Sequence, residues 1–317
     1  MKVAVAKYAI QAPADFDAFA ARIEALLREA RDAGARLAVL PEYLALELAA
    51  TFPPAVQGDL HASLAAIQAL RAPWLALFSR LAREFDLYVV AGSFLLDVGG
   101  GRYRNRSDWF APDGSHRFQD KLALTAFEKD AGVIEPGDAL KVFGIDGHRA
   151  GIAVCYDIEF PLPVRAQVEA GARLIVSPSC TDTEAGATRV RVGCMARALE
   201  GRCFVAQSVT AGVAEWSAAL DVNTGEAALY APMDRDLPAD GFLARTAGGE
   251  VWAIAELDFD ALEASRAHAQ VANDRDWPAQ LRPAFAAARL DADRDPPAGD
   301  APAAGPQPVG TQSVNGG

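Results

Sequence analysis

The sequence predicts an α/β fold. Three observations carry that prediction. Short apolar, β-branched runs alternate with longer segments of helical period along most of the chain. Hydrophobic residues make up 51% of the 317, enough to bury a sizeable core in one large domain or two ordinary ones. Two turn sequences, Pro112-Asp113-Gly114 and Asp146-Gly147, each sit between strand-like runs and read as hairpins.

Val3 to Tyr8 forms the first expected strand. Asp15 to Gly34 is a helix, with Asp15 as N-cap and Phe19, Ile23, Leu26 and Leu27 as its apolar stripe. Arg36 to Leu40 is a short strand that runs into Pro41-Glu42-Tyr43. Residues 51–58 read as a loop around Pro53-Pro54. Residues 59–85 carry helical period interrupted at Pro73, which predicts two helices. Leu87 to Phe94 is a buried strand. Arg102 to Phe110 and Ser115 to Gln119 form a hairpin that ends at Asp120-Lys121. Residues 122–140 are irregular and turn-rich, and they hold Phe127 and Glu128.

Val142-Phe143 and His148 to Val154 make a second hairpin, followed by Cys155. Leu162 to Ala170 is helical and Arg173 to Val176 is a strand. Residues 184–200 form a helix and Cys203 to Ser208 a strand, and Trp216 to Val222 and Ala227 to Tyr230 flank the turn Asn223-Thr224-Gly225. Glu250 to Leu257 and Asp258 to His268 give the last strand and helix. Proline, glycine and alanine dominate from residue 292, so 292–317 is expected to be a disordered tail and 1–291 the folded domain.

Charge and cysteine usage narrow the function classes. Net charge is -12, with a pI near 4.8. That balance argues against a nucleic-acid or anionic-membrane surface, which needs a basic patch. No run of about 18 apolar residues exists, so no membrane span is expected. Residues 1–10 alternate like a strand and lack the marks of a signal peptide. The four cysteines show neither zinc-site nor disulfide spacing, and a reducing cytoplasm is the simplest home. Only five of the 30 basic residues are lysines. A lysine kept in an arginine-rich chain draws attention as a compact ammonium, and Lys121 stands at a strand end.

The chemistry centres on GIAVCYDIEFP, residues 151–161. A strand delivers Cys155 to a sharp turn before a helix. Its sulfur is expected to be exposed, with the next backbone N–H groups lowering the thiol pKa and later holding an oxyanion. Glu42 and Lys121 also end strands, and such ends can converge on one crevice. A buried carboxylate can serve as base, and an ammonium can receive a developing oxyanion. A histidine base fits poorly. His116 and His148 fall at or just after hairpin turns, and His61 and His268 lie on helices.

These residues resemble the carbon–nitrogen hydrolase (nitrilase) superfamily, with its Glu-Lys-Cys triad. Pro41-Glu42 matches the glutamate motif, Asp120-Lys121 the lysine motif, and Cys155-Tyr156-Asp157 with Phe160-Pro161 the cysteine motif. Glu128 is the candidate for the family's second glutamate. The run Ala196-Arg197-Ala198-Leu199-Glu200 also resembles a family element. The likeness spans residues 2 to about 268. Departures border the pocket: Gln207-Ser208 and Ser177-Pro178-Ser179 stand where asparagines are common in the family, and Tyr156 replaces the tryptophan of true nitrilases.

The resemblance implies a four-layer α-β-β-α sandwich of two mixed sheets flanked by helices, assembled as a homodimer or larger even oligomer. It implies hydrolysis of a non-peptide C–N bond in a small linear amide, with no metal or organic cofactor. Glu42 would take the thiol proton and Cys155 would attack the carbonyl. Lys121 and the Tyr156 N–H would hold the oxyanion. Tyr43, Phe127 and Thr181 would line the substrate pocket, together with the loop near Trp216. The same triad would equally serve an N-carbamoyl amide hydrolase or a nitrilase, and a silent ligand-binding relative is the alternative of a different class. Asp157 and Glu159 are expected as helix N-cap and first-turn carboxylates, and Arg197 and Glu200 are expected to pair on their helix.

Overall fold

A computed structural model of the chain describes residues 1–288. Met1–Arg275 forms one compact unit. The chain from Asp276 forms a second, whose described part contains two short 3-10 turns, Trp277–Leu281 and Pro283–Phe285. The tail expected from residue 292 lies outside the described residues.

The first unit opens with strand β1 (Lys2–Ala9), helix α1 (Phe16–Asp32) and strand β2 (Leu37–Leu40). Asp15 caps α1 by accepting the Ala18 N–H at 2.8 Å. A 3-10 segment, Leu44–Thr51, precedes α2 (Pro54–Gln57), α3 (Leu60–Ile67) and α4 (Arg71–Phe85). The expected loop at 51–58 therefore holds a short helix. The break between the two longer helices falls at 68–70, not at Pro73. Pro73 sits inside the first turn of α4, where the backbone N–H it lacks would have had no helical partner.

Strands β3 (Tyr88–Gly99), β4 (Arg102–Phe110) and β5 (His116–Asp120) follow as an antiparallel meander. The irregular stretch after it contains helix α5 (Ala126–Asp130), fastened by a capping box between Thr125 and Glu128. Then come β6 (Val142–Ile145), β7 (His148–Ile152), α6 (Pro161–Glu169), β8 (Leu174–Ser179), α7 (Glu184–Gly201) and β9 (Phe204–Val213). The unit closes with β10 (Val222–Asn223), β11 (Ala228–Tyr230), β12 (Phe242–Arg245), β13 (Trp252–Glu256) and α8 (Phe259–His268). In the first of the two runs that flank the turn at Asn223-Thr224-Gly225, residues 216–221 are turns and bends and Val222 alone joins a strand. Its polar groups close on themselves through Ser217, whose hydroxyl accepts the N–H groups of Ala219 and Leu220.

Among the described residues the strand order is β5-β4-β3-β2-β1-β9-β8-β7-β6. The two expected sheets are joined at β1. Its first half pairs with β2 and its last residues with β9, both in parallel. Alternation along β1 explains the layering. Val3 and Val5 face a core shared with Val176, Val205 and Phe143 of the second half, whereas Ala4, Ala6 and Tyr8 face α1 and α4. Trp109 of β4 stacks on Phe143 of β6 at 5.3 Å, so side chains from the two remote ends of the strand order meet. The result is an α/β fold with a nearly closed mixed sheet and flanking helices.

Candidate active site

Three loops at strand ends bring Glu42, Lys121 and Cys155 to one cleft. The first follows β2. Tyr43 takes a left-handed backbone, φ 61°, and its N–H donates to Ser93 Oγ at 2.8 Å. Strand β3 passes directly beneath this loop at Gly92. A Cβ there would lie 2.0 Å from the Pro41 carbonyl oxygen, so only glycine fits. Glu42 is thereby held in the interior, 1% exposed.

The second loop follows β5. The Lys121 N–H donates to the Asn105 carbonyl at 2.9 Å. The N–H groups of Leu122 and Ala123 donate to the Asp157 carboxylate, at 3.1 and 2.6 Å. Asp157 also accepts the Val154 N–H at 3.2 Å. It therefore ties the lysine loop to the cysteine elbow, a structural role wider than the helix cap expected.

Cys155 itself has φ 49°. A non-glycine residue in this region costs of order 1–3 kcal/mol and persists only where its surroundings hold it. Such strain fits the elbow expected from the sequence. The sulfur, however, is not exposed: Cys155 is 5% accessible and its thiol donates to the Cys180 carbonyl at 3.5 Å. Helix α6 begins only at Pro161, after a 3-10 turn over Cys155–Glu159. No depressed thiol results. Burial, and then the Glu42 carboxylate, push the Cys155 thiol well above its ordinary value, against a smaller pull from Lys121.

The side chains meet as follows. Lys121 Nζ lies 2.9 Å from Glu42 Oε1 and 2.8 Å from Glu128 Oε2. The Cys155 thiol is within hydrogen-bond reach of Glu42. Tyr43 OH donates to Glu128 Oε1 at 2.7 Å. The two glutamates are pushed apart in acidity. Burial raises Glu42, and the Lys121 charge offsets this only partly. Burial acts on Glu128 as well, but Lys121, the Thr125 N–H and Tyr43 outweigh it, and its carboxyl falls below the ordinary range. Lys121 is itself desolvated, yet the two carboxylates hold it firmly protonated. One acid is thus a fixed anion and the other is poised to take a proton.

The cleft above this cluster has a volume of about 790 Å³. Glu42, Lys121 and Cys155 form its floor, and Tyr43, Phe127, Tyr156 and Thr181 line it. Glu128 is wholly buried behind Lys121. The Tyr43 hydroxyl is committed to Glu128, and Thr181 Oγ1 donates to the Thr224 carbonyl at 2.7 Å. Their contribution to the cleft is shape more than free donors. Trp216 lies outside the lining, which its loop supplies through Ala218, Ala219 and Asp221. None of the four histidines lines it. Cys180 does, while Cys194 and Cys203 lie in the core. Arg197 pairs with Glu200 at 3.0 Å as expected and also donates to the Ile158 carbonyl beside the elbow.

Asn105 was not singled out by the sequence reading. Its Nδ2 donates to Glu42 Oε1 at 2.8 Å and to Glu128 Oε1 at 3.1 Å. The signal available was one uncharged amide within an arginine-rich strand, RYRNRSDWF.

Comparison with known proteins gives a consistent picture. The family model described as carbon–nitrogen hydrolase matches residues 2–266. A probable hydrolase of Bacillus subtilis, YhcX, is 29% identical over 279 residues, which is 87% of this chain and 53% of the relative. The chain thus spans about half the length of that relative. Omega-amidase NIT2-A of Xenopus laevis is 25% identical, covering 79% of this chain and 86% of its own length. Among solved structures, Nit3 of Saccharomyces cerevisiae superposes with a TM-score of 0.65 at 23% identity, over 84% of this chain and 93% of that one. A cysteine variant of an amidase from Nesterenkonia sp., solved in complex with butyramide, gives 0.63 at 21%, over 84% and 95%. These structural likenesses concern the fold.

Proposed function

The chain belongs to the carbon–nitrogen hydrolase family, and we propose that it hydrolyses a small linear amide through a thioester on Cys155. One observation carries the reading: a buried thiol within reach of a carboxylate whose proton affinity is raised, beside an ammonium whose charge is fixed. The resting thiol is neutral, so attack needs a base in place, and Glu42 is that base.

Glu42 takes the thiol proton as sulfur bonds to the carbonyl carbon. Two hydrogens of the Lys121 ammonium serve the glutamates, and the third goes to the carbonyl oxygen as it becomes negative. The Tyr156 N–H is the second donor. Collapse of the tetrahedral adduct breaks the C–N bond, and Glu42 returns its proton to the leaving nitrogen. Water then gives a proton to Glu42 as its oxygen adds to the thioester carbon; the second adduct breaks the C–S bond, Glu42 returns the proton to the Cys155 sulfur, and the acid leaves. Overall, amide and water become acid and amine or ammonia.

An amide fits the omega-amidase name of the relatives and the butyramide bound to the Nesterenkonia protein. Tyr43, Phe127 and Thr181 then shape the acyl pocket. The proposal extends to a homodimer built on α6 and α7, which expose Leu162 and Val192, 66% and 57% accessible. The test is ammonia release over a panel of aliphatic amides, N-carbamoyl amines and nitriles, with wild type and Cys155→Ala side by side. Turnover of an amide by wild type alone supports the reading. Equal turnover by Cys155→Ala would overturn it.

A further inference from the structure

Asn105 stands behind the cleft, not in it. It is 1% exposed, lies on β4, and is absent from the cleft lining. Its amide gives one hydrogen to each of the two glutamates that flank Lys121. Its own carbonyl oxygen, buried, meets no donor. A buried acceptor left unsatisfied is unfavourable. Turning the amide over would set that oxygen against two carboxylates, which is worse still. The orientation is therefore fixed by the glutamates.

The position of the contacts matters as much as their number. Asn105 and Lys121 both donate to the same oxygen of Glu42, Oε1. Neither touches Oε2. Two donors converging on one oxygen fix the rotation of the carboxylate and leave the other oxygen for the thiol. Asn105 also spans both acids through one rigid planar group, so it fixes the distance between base and fixed anion. Its backbone carbonyl meanwhile receives the Lys121 N–H.

We propose that Asn105 is a positioning residue that aims Glu42 Oε2 at the Cys155 thiol and keeps the base ionised. The inference rests on the reading of Glu42 as base. A donor to a carboxylate stabilises its charged form, so removing it raises the pKa of that carboxylate. Loss of Asn105 should therefore move the acid limb of the activity profile to higher pH and lower kcat, with KM little changed because the side chain does not reach the cleft.

The experiment follows the pH dependence of two rates in wild type and Asn105→Leu. One is alkylation of Cys155 by iodoacetamide, read by peptide mass. The other is amide turnover. We expect the acid limb of both to rise by about one pH unit, and kcat at neutral pH to fall about 10- to 100-fold, as for loss of hydrogen bonds to charged groups. Asn105→Asp, which removes the donors and adds a charge, should shift the limb further. A folded Asn105→Leu whose acid limb stays in place would overturn the proposal, whatever its rate. If that variant does not fold, Asn105→Ala, which also lacks the donors, takes the same readings, and an unmoved limb there is equally decisive. Failure of the parent reading looks different: Cys155→Ala would keep turnover, and alkylation would not inactivate.

Discussion

Strand β4 carries two buried ionic clusters three residues apart, which places them on opposite faces. On one side, Asp108 accepts from Arg71 Nη2 at 2.8 Å, His116 Nε2 at 2.8 Å and Trp74 Nε1 at 3.1 Å. Burial alone would push its carboxyl up, but Arg71 and His116 outweigh it and hold it below the ordinary range. One anion meets one fixed cation, and every strong acceptor site is used. On the other side, Asn105 joins two carboxylates around a single ammonium, beside a thiol and under a cleft. There the charges do not balance, an amide oxygen has no donor, and one carboxylate is driven towards protonation. The first arrangement is closed and can only stabilise. The second keeps a proton acceptor and a hydrogen-bond donor unspent, and those are what a reaction needs.

Glu42→Gln should give the largest effect. If Glu42 is the base proposed above, its removal costs up to about four orders of magnitude in kcat. Because it also removes a desolvated charge, the unfolding temperature should hold or rise. Ammonia release and calorimetry on the same sample check both. A variant that lost stability with activity would erase the contrast between the two faces.

Asp108→Ala should do the reverse. Leaving Arg71 without its partner costs about 3–5 kcal/mol of stability, read as the urea midpoint. The folded fraction should keep kcat within a few-fold. A large loss of kcat at full folding would show that the two clusters are coupled through β4.

Glu47 is an intermediate case and gives the smallest effect. It accepts from Tyr8 OH at 3.0 Å and Arg22 Nη1 at 2.8 Å, yet its second oxygen has no partner. Burial, partly offset by Arg22, pushes its carboxyl up from 4.5 to about 7. The folded protein then holds this proton more tightly than the unfolded chain does. Its contribution to stability is full below about pH 4.5 and is lost as pH rises to about 7. The loss should be on the order of 2–3 kcal/mol, allowing for the partly exposed Arg22. Glu47→Gln should flatten stability across that window, and urea titrations at stepped pH would show it.

The contrast also explains what could be read from the sequence. Cys155, Glu42 and Lys121 each carry a local signature, because each stands where an apolar strand gives way to a turn. The hairpins at Asp113-Gly114 and Asp146-Gly147 are equally local, with Gly114 and Gly147 at positive φ. Asn105 has no such signature. Its meaning depends on Glu42 and Glu128, 63 and 23 residues away, and on the β4–β5 register that sets it against Lys121. The same holds for Asp157, whose partners Leu122 and Ala123 arrive from the lysine loop. The burial of the Cys155 sulfur likewise has no local signature. A strand end is open when considered alone, and here the thiol turns onto the Cys180 carbonyl at the floor of the cleft.

The most direct test of a thiol activated by a neighbouring base is to catch what it forms. An amide that wild type turns over is mixed with the protein, quenched in acid within the first turnovers, and the intact and peptide masses are recorded. The expected result is the mass of the acyl group on the peptide that contains Cys155, absent in Cys155→Ala and strongly reduced in Glu42→Gln. Ammonia released at the wild-type rate with no acyl mass on Cys155, from a variant that lacks the thiol, would contradict it.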